Sequence, residues 1–247
     1  MRVIFFGTPD FINPIKETLK QNFNLVRVVA GAEKPDLDLT KELQELNPDL
    51  IVVAAYGHII PQAILDLPKH GAINIHPSLL PKYRGASPIQ AAILAGDKIS
   101  GITIIKMDAE MDHGSIIFQE EVRFLQQGNC QTLSIKMFQC SAEILKDLIP
   151  QFVEGKVELK EQDHSQATFC NQLKKEDGYF EIDSPPPLEQ LDRMIRAYYP
   201  WPTAWTKWKD KIVKFLPDQM VQMEGKKAVK LKDFLNGYPD FPIKLLT

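Results

Sequence analysis

Asn74 and His76 lie in the stretch AINIHPSLLPKYRGASP (72–88), two residues apart and immediately before Pro77. In an extended strand, residues at that spacing share one face. An amide that can donate beside an imidazole that can donate or exchange a proton is equipment for steadying a developing oxyanion and moving a proton. The same pair serves equally well as a structural Asn and His tying down the loop that follows. A second acidic segment, DAEMDHG (108–114), adds Asp112 and Asp108. If this bend folds over the sheet end, Asp112 approaches His76 and either raises the imidazole's pKa or relays a proton. As a plain turn residue, Asp112 needs no such role. Gly114 is expected to supply backbone freedom there. His113 reads as exposed, and His58, His70 and His164 as structural or surface residues. Ser78, Leu79, Leu80 and Pro81 form an extended piece whose backbone amides suit a flat heterocycle. No HExxH or clustered Cys/His spacing is present, so no metal site is expected. GTPDF is not a GxGxxG loop and no Walker sequence occurs, which leaves dinucleotide and nucleotide-phosphate sites without support.

The elements that must hold these groups read as strand–helix repeats. VIFFG (3–7) reads as a buried strand, LVRVVA (25–30) as strand-like, LIVVAAY (50–56) as an apolar run without alternation, as parallel strands covered on both faces require, and GAINIH (71–76) as the fourth strand. Helical patterns at 11–21 and 38–46 separate them, which implies right-handed crossovers and an open, mostly parallel sheet. Ligands of such sheets bind beyond the carboxyl ends of the strands, where Gly7 and His76 fall. Ser87, Pro88 and Gly96 bracket a helix. Strands at 100–108 and 114–124 flank the acidic bend. Leu133, Met137, Cys140, Ile144 and Leu148 set one face of a helix over 130–149, with irregular chain expected after Pro150. Leu188, Leu191, Ile195 and Tyr198 form the core stripe of another. Beyond Trp201 come short strands and a small helix near LKDFL.

Composition narrows the class. With 44% apolar and 25% charged residues in 247, the chain is globular, which removes disordered and fibrous classes. A formal charge of −3 argues against a dedicated nucleic-acid binder. From Trp201 onward, however, lysines outnumber acids, which leaves room for a polyanionic partner at that end. Cys130, Cys140 and Cys170 make no paired framework and fit a reducing compartment, with Cys140 expected as a small buried hydrophobe. The chain opens on RVIFF without a leader pattern, and no apolar run reaches the ~20 residues a bilayer needs. A cytoplasmic, monomeric protein with no membrane association is expected.

RVIFFGTPDF, VVAAYGHIIP, INIHPSLLPKYRGASPIQ, GITIIKMDAEMDHG, KEDGYFEID, IRAYYPWPTAW and EGKKAVKLKDFLNGYPDF resemble, in order, the methionyl-tRNA formyltransferase branch of the folate-dependent formyltransferases. The resemblance implies an α/β fold: a Rossmann-like formyltransferase domain with a mostly parallel sheet over 1–182, and a small, abbreviated β-rich C-terminal domain over 183–247. It implies transfer of a formyl group from 10-formyltetrahydrofolate to the amine of initiator methionyl-tRNA. Carried over by motif, Asn74, His76 and Asp112 are the catalytic trio. His58, Ile59, Ile60, Ser78, Leu79, Leu80, Pro81 and Asp108 line the folate site, and no metal takes part.

Two departures matter. The stretch AGAEKPDLDLTKELQELNPD is shorter than in the family and acidic, where the family carries a basic loop that contacts the acceptor stem. KIVKF runs almost directly into VQMEGKKAV, which abbreviates the C-terminal domain. Ser184 also replaces the aromatic residue expected after EID. Other readings therefore stay open: an N-formyltransferase acting on a nucleotide-linked amino sugar, a hydrolase of formyltetrahydrofolate, and a non-catalytic folate-binding remnant.

Overall fold

The computed structural model describes residues 1–8, 10–123 and 128–242. They form two compact units: one comprises Met1–Pro88, Ile99–Arg123 and Ser134–Asn171, and the other takes in Ile89–Lys98 and the described residues from Gln172 onward.

The first unit opens with β1 (Arg2–Phe6), α1 (Asn13–Asn22), β2 (Asn24–Val29), α2 (Leu37–Glu45), β3 (Leu50–Val53), α3 (Gln62–Leu65) and β4 (Ala72–His76). β5 (Arg84–Gly85), β6 (Ile99–Lys106), β7 (Ile116–Arg123), most of α5 (Cys130–Val153) and β8 (Phe169–Cys170) follow, while α4 (Pro88–Ala95), which comes between β5 and β6 in the sequence, falls from Ile89 onward in the other unit. The main sheet has the order β2-β1-β3-β4-β6-β7. β1 pairs in parallel with β2 and β3, and β3 with β4, while β6 and β7 run antiparallel. The lack of alternation in β1 and β3 has the expected cause, because every residue of VIFF and LIVV is buried. Phe124, which the sequence reading included in the last strand, lies outside the described residues.

The short connection between β2 and α2 is organised by charge. Arg27 meets Glu33 at 2.5 Å and Glu42 at 2.7 Å, and these carboxylates raise its pKa. Asp36 accepts a hydrogen bond from the Leu39 amide at 2.9 Å and so caps α2, a favoured use of a short carboxylate.

Three expectations about helices need correction. Cys140 is exposed, and the buried line of α5 runs through Leu133, Met137, Ser141, Leu145 and Leu148. Ser141 occupies a core position because its hydroxyl donates to the Met137 carbonyl at 2.8 Å, so a polar letter disguised the true face. α5 also continues through Pro150 to Val153; proline lacks an amide donor, but its carbonyl still accepts from the Glu154 amide at 3.0 Å and closes the last turn. In α6 (Leu188–Ala197), Leu188 is exposed at the first helical position, and the stripe instead runs through Leu191, Met194, Ala197 and Tyr198.

The second unit contains α6, then β9 (Ala204–Trp208), β10 (Lys211–Leu216), β11 (Met220–Met223), β12 (Val229–Lys230) and α7 (Leu231–Gly237). Its antiparallel sheet has the order β12-β11-β10-β9. A cluster of rings packs together in this unit. Phe234 stands 5.0 Å from Phe241 and 4.9 Å from Tyr238, and Trp208 meets Phe241 edge-on at 5.1 Å. Among the described residues no helix is long and apolar enough to cross a membrane.

Candidate active site

β4 carries Asn74 and His76 on one face, opposite Ile105 and Thr103 of β6. Pro77 follows immediately and has no amide hydrogen to extend the ladder. His76 is buried, at 4% exposure. Its Nε2 lies 2.8 Å from the Tyr83 carbonyl, which can only accept, so the hydrogen sits on Nε2. Tyr83 reaches that position with a φ of 60°. The other ring nitrogen, Nδ1, faces the Asp112 carboxylate at 3.6 Å.

Asp112 is gripped from both sides. Asn74 Nδ2 donates to Oδ1 at 3.0 Å, and the Gly85 amide donates to Oδ2 at 2.8 Å. The left-handed backbone in this bend belongs to Asp112 itself, with φ 51°, and not to Gly114 as the sequence suggested. Glycine is needed at 114 for a different reason: a Cβ there would fall 1.8 Å from the Lys106 carbonyl oxygen. The three side chains expected to cooperate therefore meet, drawn from β4 and from the bend between β6 and β7.

Behind the bend lies a buried polar pair that the sequence reading missed. Gln162 Nε2 donates to the carbonyls of Asp112 and Gly114 at 2.9 and 2.8 Å. Gln162 Oε1 accepts from Arg84 Nε and Nη2 at 3.2 and 2.7 Å. Arg84 Nη2 also reaches His164 Nδ1 at 2.8 Å. His164, read as a structural or surface residue, is exposed and stacks on His113 with ring centroids 4.0 Å apart. His113 Nδ1 in turn lies 2.7 Å from Asp108 Oδ2, so it is paired and only partly exposed. The Cys170 thiol points at the carbonyls of Tyr83 and Arg84. Burial pushes that thiol's pKa up and the Asp112 carboxylate adds to the rise, against a hydrogen bond from the Ser87 backbone.

The remaining expected wall residues behave differently from one another. The Ser78 and Leu80 amides, expected to face a heterocycle, are already used: Ser78 N donates to the His76 carbonyl and Leu80 N to Thr103 Oγ1. Ser78 is fully buried and its hydroxyl donates to the Lys82 carbonyl at 2.6 Å. Gln119 Nε2 holds both the Leu80 carbonyl and Thr103 Oγ1 at 2.9 Å. The 78–81 piece is thus rigid by internal bonding, with Leu80 in the core and Leu79 and Pro81 half-buried. In the 58–60 turn, His58 Nε2 meets the Gly31 carbonyl at 2.8 Å, Ile59 is 80% exposed and Ile60 is buried in the core. Asp108 is partly exposed and accepts from the Glu110 amide as well as facing His113.

Chemically, the corner offers one ring nitrogen and one amide hydrogen of Asn74 beyond those already bonded. Both stand beside a carboxylate fixed by a backbone amide. Such a set can hold an oxygen that is gaining charge and pass a proton along a short path.

A formyl transferase family matches residues 29–149, and the formyl transferase C-terminal domain matches residues 172–221. The chain is 36% identical to the methionyl-tRNA formyltransferase of Chloroflexus aggregans, over 87% of this chain and 79% of that protein. Among solved structures it superposes on a methionyl-tRNA formyltransferase from Clostridium thermocellum with TM-score 0.69 and 23% identity, covering 93% and 96% of the two chains. HypX from Aquifex aeolicus in complex with tetrahydrofolic acid shares the fold with TM-score 0.76 and 18% identity, covering 97% of this chain and 48% of that one.

Proposed function

The chain belongs to the formyltransferase family, through both its N-terminal and its C-terminal domain, and from that premise we propose that it moves the formyl group of 10-formyltetrahydrofolate to the amine of methionyl-tRNA. The observation that carries the reading is the junction of the Asp112 carboxylate with the Asn74 amide at 3.0 Å and the His76 ring at 3.6 Å.

The acceptor's amine attacks the formyl carbon, a new carbon–nitrogen bond forms, and the formyl oxygen takes up the negative charge. The second amide hydrogen of Asn74 and a proton on His76 Nδ1 stabilise that oxygen. Asp112 supports the charged imidazole and carries the proton lost by the attacking amine to the folate nitrogen as its bond to carbon breaks. His76 is suited to this because Tyr83 already occupies Nε2 and leaves Nδ1 as the working edge. The exposed apolar surface of Ile59 fits the face of a flat ring such as the pterin of the donor. His58, Ile60, Ser78, Leu79, Leu80, Pro81 and Asp108 complete that wall in this reading, with the buried members acting as its support.

One observation favours a second acceptor. The connection between β2 and α2 uses Glu33 and Asp36 for internal bonds and presents a single lysine, Lys34, where a tRNA-binding loop is expected to be basic. A nucleotide-linked amino sugar makes no demand on that loop. Purified protein with 10-formyltetrahydrofolate is offered methionyl-tRNA and nucleotide-linked amino sugars in parallel. Formylation of methionyl-tRNA is expected, and turnover of the sugar alone would overturn the tRNA reading.

A further inference from the structure

We propose that Gln162, oriented by Arg84, is a positioning residue that sets the Asp112 carboxylate for formyl transfer. The inference rests on the reading of the Asn74–His76–Asp112 corner given above. Its observations are separate: Gln162 and Arg84 are buried at 5% and 4% exposure, and neither belongs to the reacting set.

Donor–acceptor polarity decides how this amide is oriented. Arginine can only donate and a backbone carbonyl can only accept. Gln162 stands between the two kinds, with Arg84 at its oxygen and the carbonyls of Asp112 and Gly114 at its nitrogen. Only a primary amide accepts at one end and donates twice at the other, and Arg84 fixes which end is which. A carboxylate here accepts at both ends and faces two carbonyls it cannot satisfy.

The clamp closes on the residues that need it. Asp112 holds a left-handed φ of 51°, a conformation that persists only when its surroundings enforce it. Gly114 lies against the Lys106 carbonyl, so the bend cannot relax in that direction. Gln162 bonds the carbonyls on either side of His113, and this fixes the backbone from which the Asp112 carboxylate reaches Asn74 and Gly85. A displacement of about 1 Å in such a group is enough to cost ~10² in rate.

The test compares Gln162→Glu with the unchanged protein and with Asp112→Asn. Gln162→Glu keeps the bonds from Arg84 and loses both donations to the bend. The expected result is a fall of kcat by ~10² with KM for the formyl donor nearly unchanged. Because Gln162 acts through Asp112, adding Gln162→Glu to Asp112→Asn should lower the rate little further, as coupled residues do. Ring resonances of His76 in the NMR spectrum should move in the same direction in Gln162→Glu as in Asp112→Asn, and this readout does not depend on which acceptor is used. If Gln162→Glu lowers the melting temperature, Arg84→Lys takes its place, with a smaller loss of kcat and the same direction of His76 shifts. Unchanged kcat, a loss confined to KM, full additivity with Asp112→Asn, or unmoved His76 resonances would each overturn the proposal. Absence of formyl transfer by the unchanged protein, with His76 resonances still moved by Gln162→Glu, would instead defeat the functional reading and leave the clamp standing.

Discussion

The corner around His76 and the C-terminal sheet spend their buried positions on opposite kinds of group. The corner encloses His76, Ser78, Arg84, Thr103 and Gln162. Each is bonded to a named partner, so the interior there is a lattice of directed contacts. The C-terminal unit buries Phe215, Phe234 and Phe241 against one another and against Trp208 and Tyr238. Ring packing tolerates small shifts and is favourable roughly in proportion to area. A hydrogen-bonded lattice fixes direction, and a broken member leaves a buried polar group unsatisfied. The difference teaches where precision is needed: the groups proposed to react sit in the directed lattice, whereas the rings fill space by area.

The sharpest way to break this contrast is at the reacting groups. His76→Ala or Asp112→Ala should lower kcat by ~10²–10³, the usual loss for one preorganised group, with cooperative folding retained. Near-normal turnover in either variant, measured with a saturating formyl donor, removes that residue from the chemistry. The next largest effect belongs to the rings. Phe215→Ala should destabilise folding by about 3–5 kcal/mol through the cavity it leaves, read as a lower denaturant midpoint. If it instead left stability unchanged and reduced only kcat, the division of labour drawn here would be wrong. The smallest effect sharpens the picture inside the corner. Cys140 is exposed, whereas the Cys170 thiol, raised by burial, is more fully protonated at neutral pH and is therefore a poorer nucleophile. Alkylation followed by mass spectrometry should label Cys140 well before Cys170, and the reverse order would show that the lattice around Tyr83 opens readily.

Much of this corner was legible in the sequence because its signals are local. A two-residue spacing places Asn74 and His76 on one strand face whatever the rest of the chain does. The apolar runs of β1, β3 and β4 announce strands covered on both faces, and the acidic bend marks Asp112 as worth watching. Gln162 and Arg84 carried no such signal. One sits in the polar run KEQDHSQ and the other in KYRG, and their meeting spans 78 residues of chain. The Tyr83 carbonyl is invisible for a deeper reason, since every residue has one and only the fold says which is aimed at a ring. The misphased face of α5 shows the converse failure. Counting apolar letters favoured Cys140 because Ser141 satisfies its hydroxyl within the helix and so hides a core position.

The bond from His76 Nε2 to Tyr83 also bears on inhibitor design. A visiting molecule meets only one edge of the imidazole, and the amide of Asn74 narrows the choice further. A compact ligand with a single carbonyl or N-oxide oxygen at that point accepts from the Asn74 amide, and also from His76 Nδ1 when the imidazole is protonated. A hydroxyl or amine in the same place must compete for the carboxylate that the bend already holds. Chemists screening fragments against this corner should see acceptors enriched over donors among the first hits.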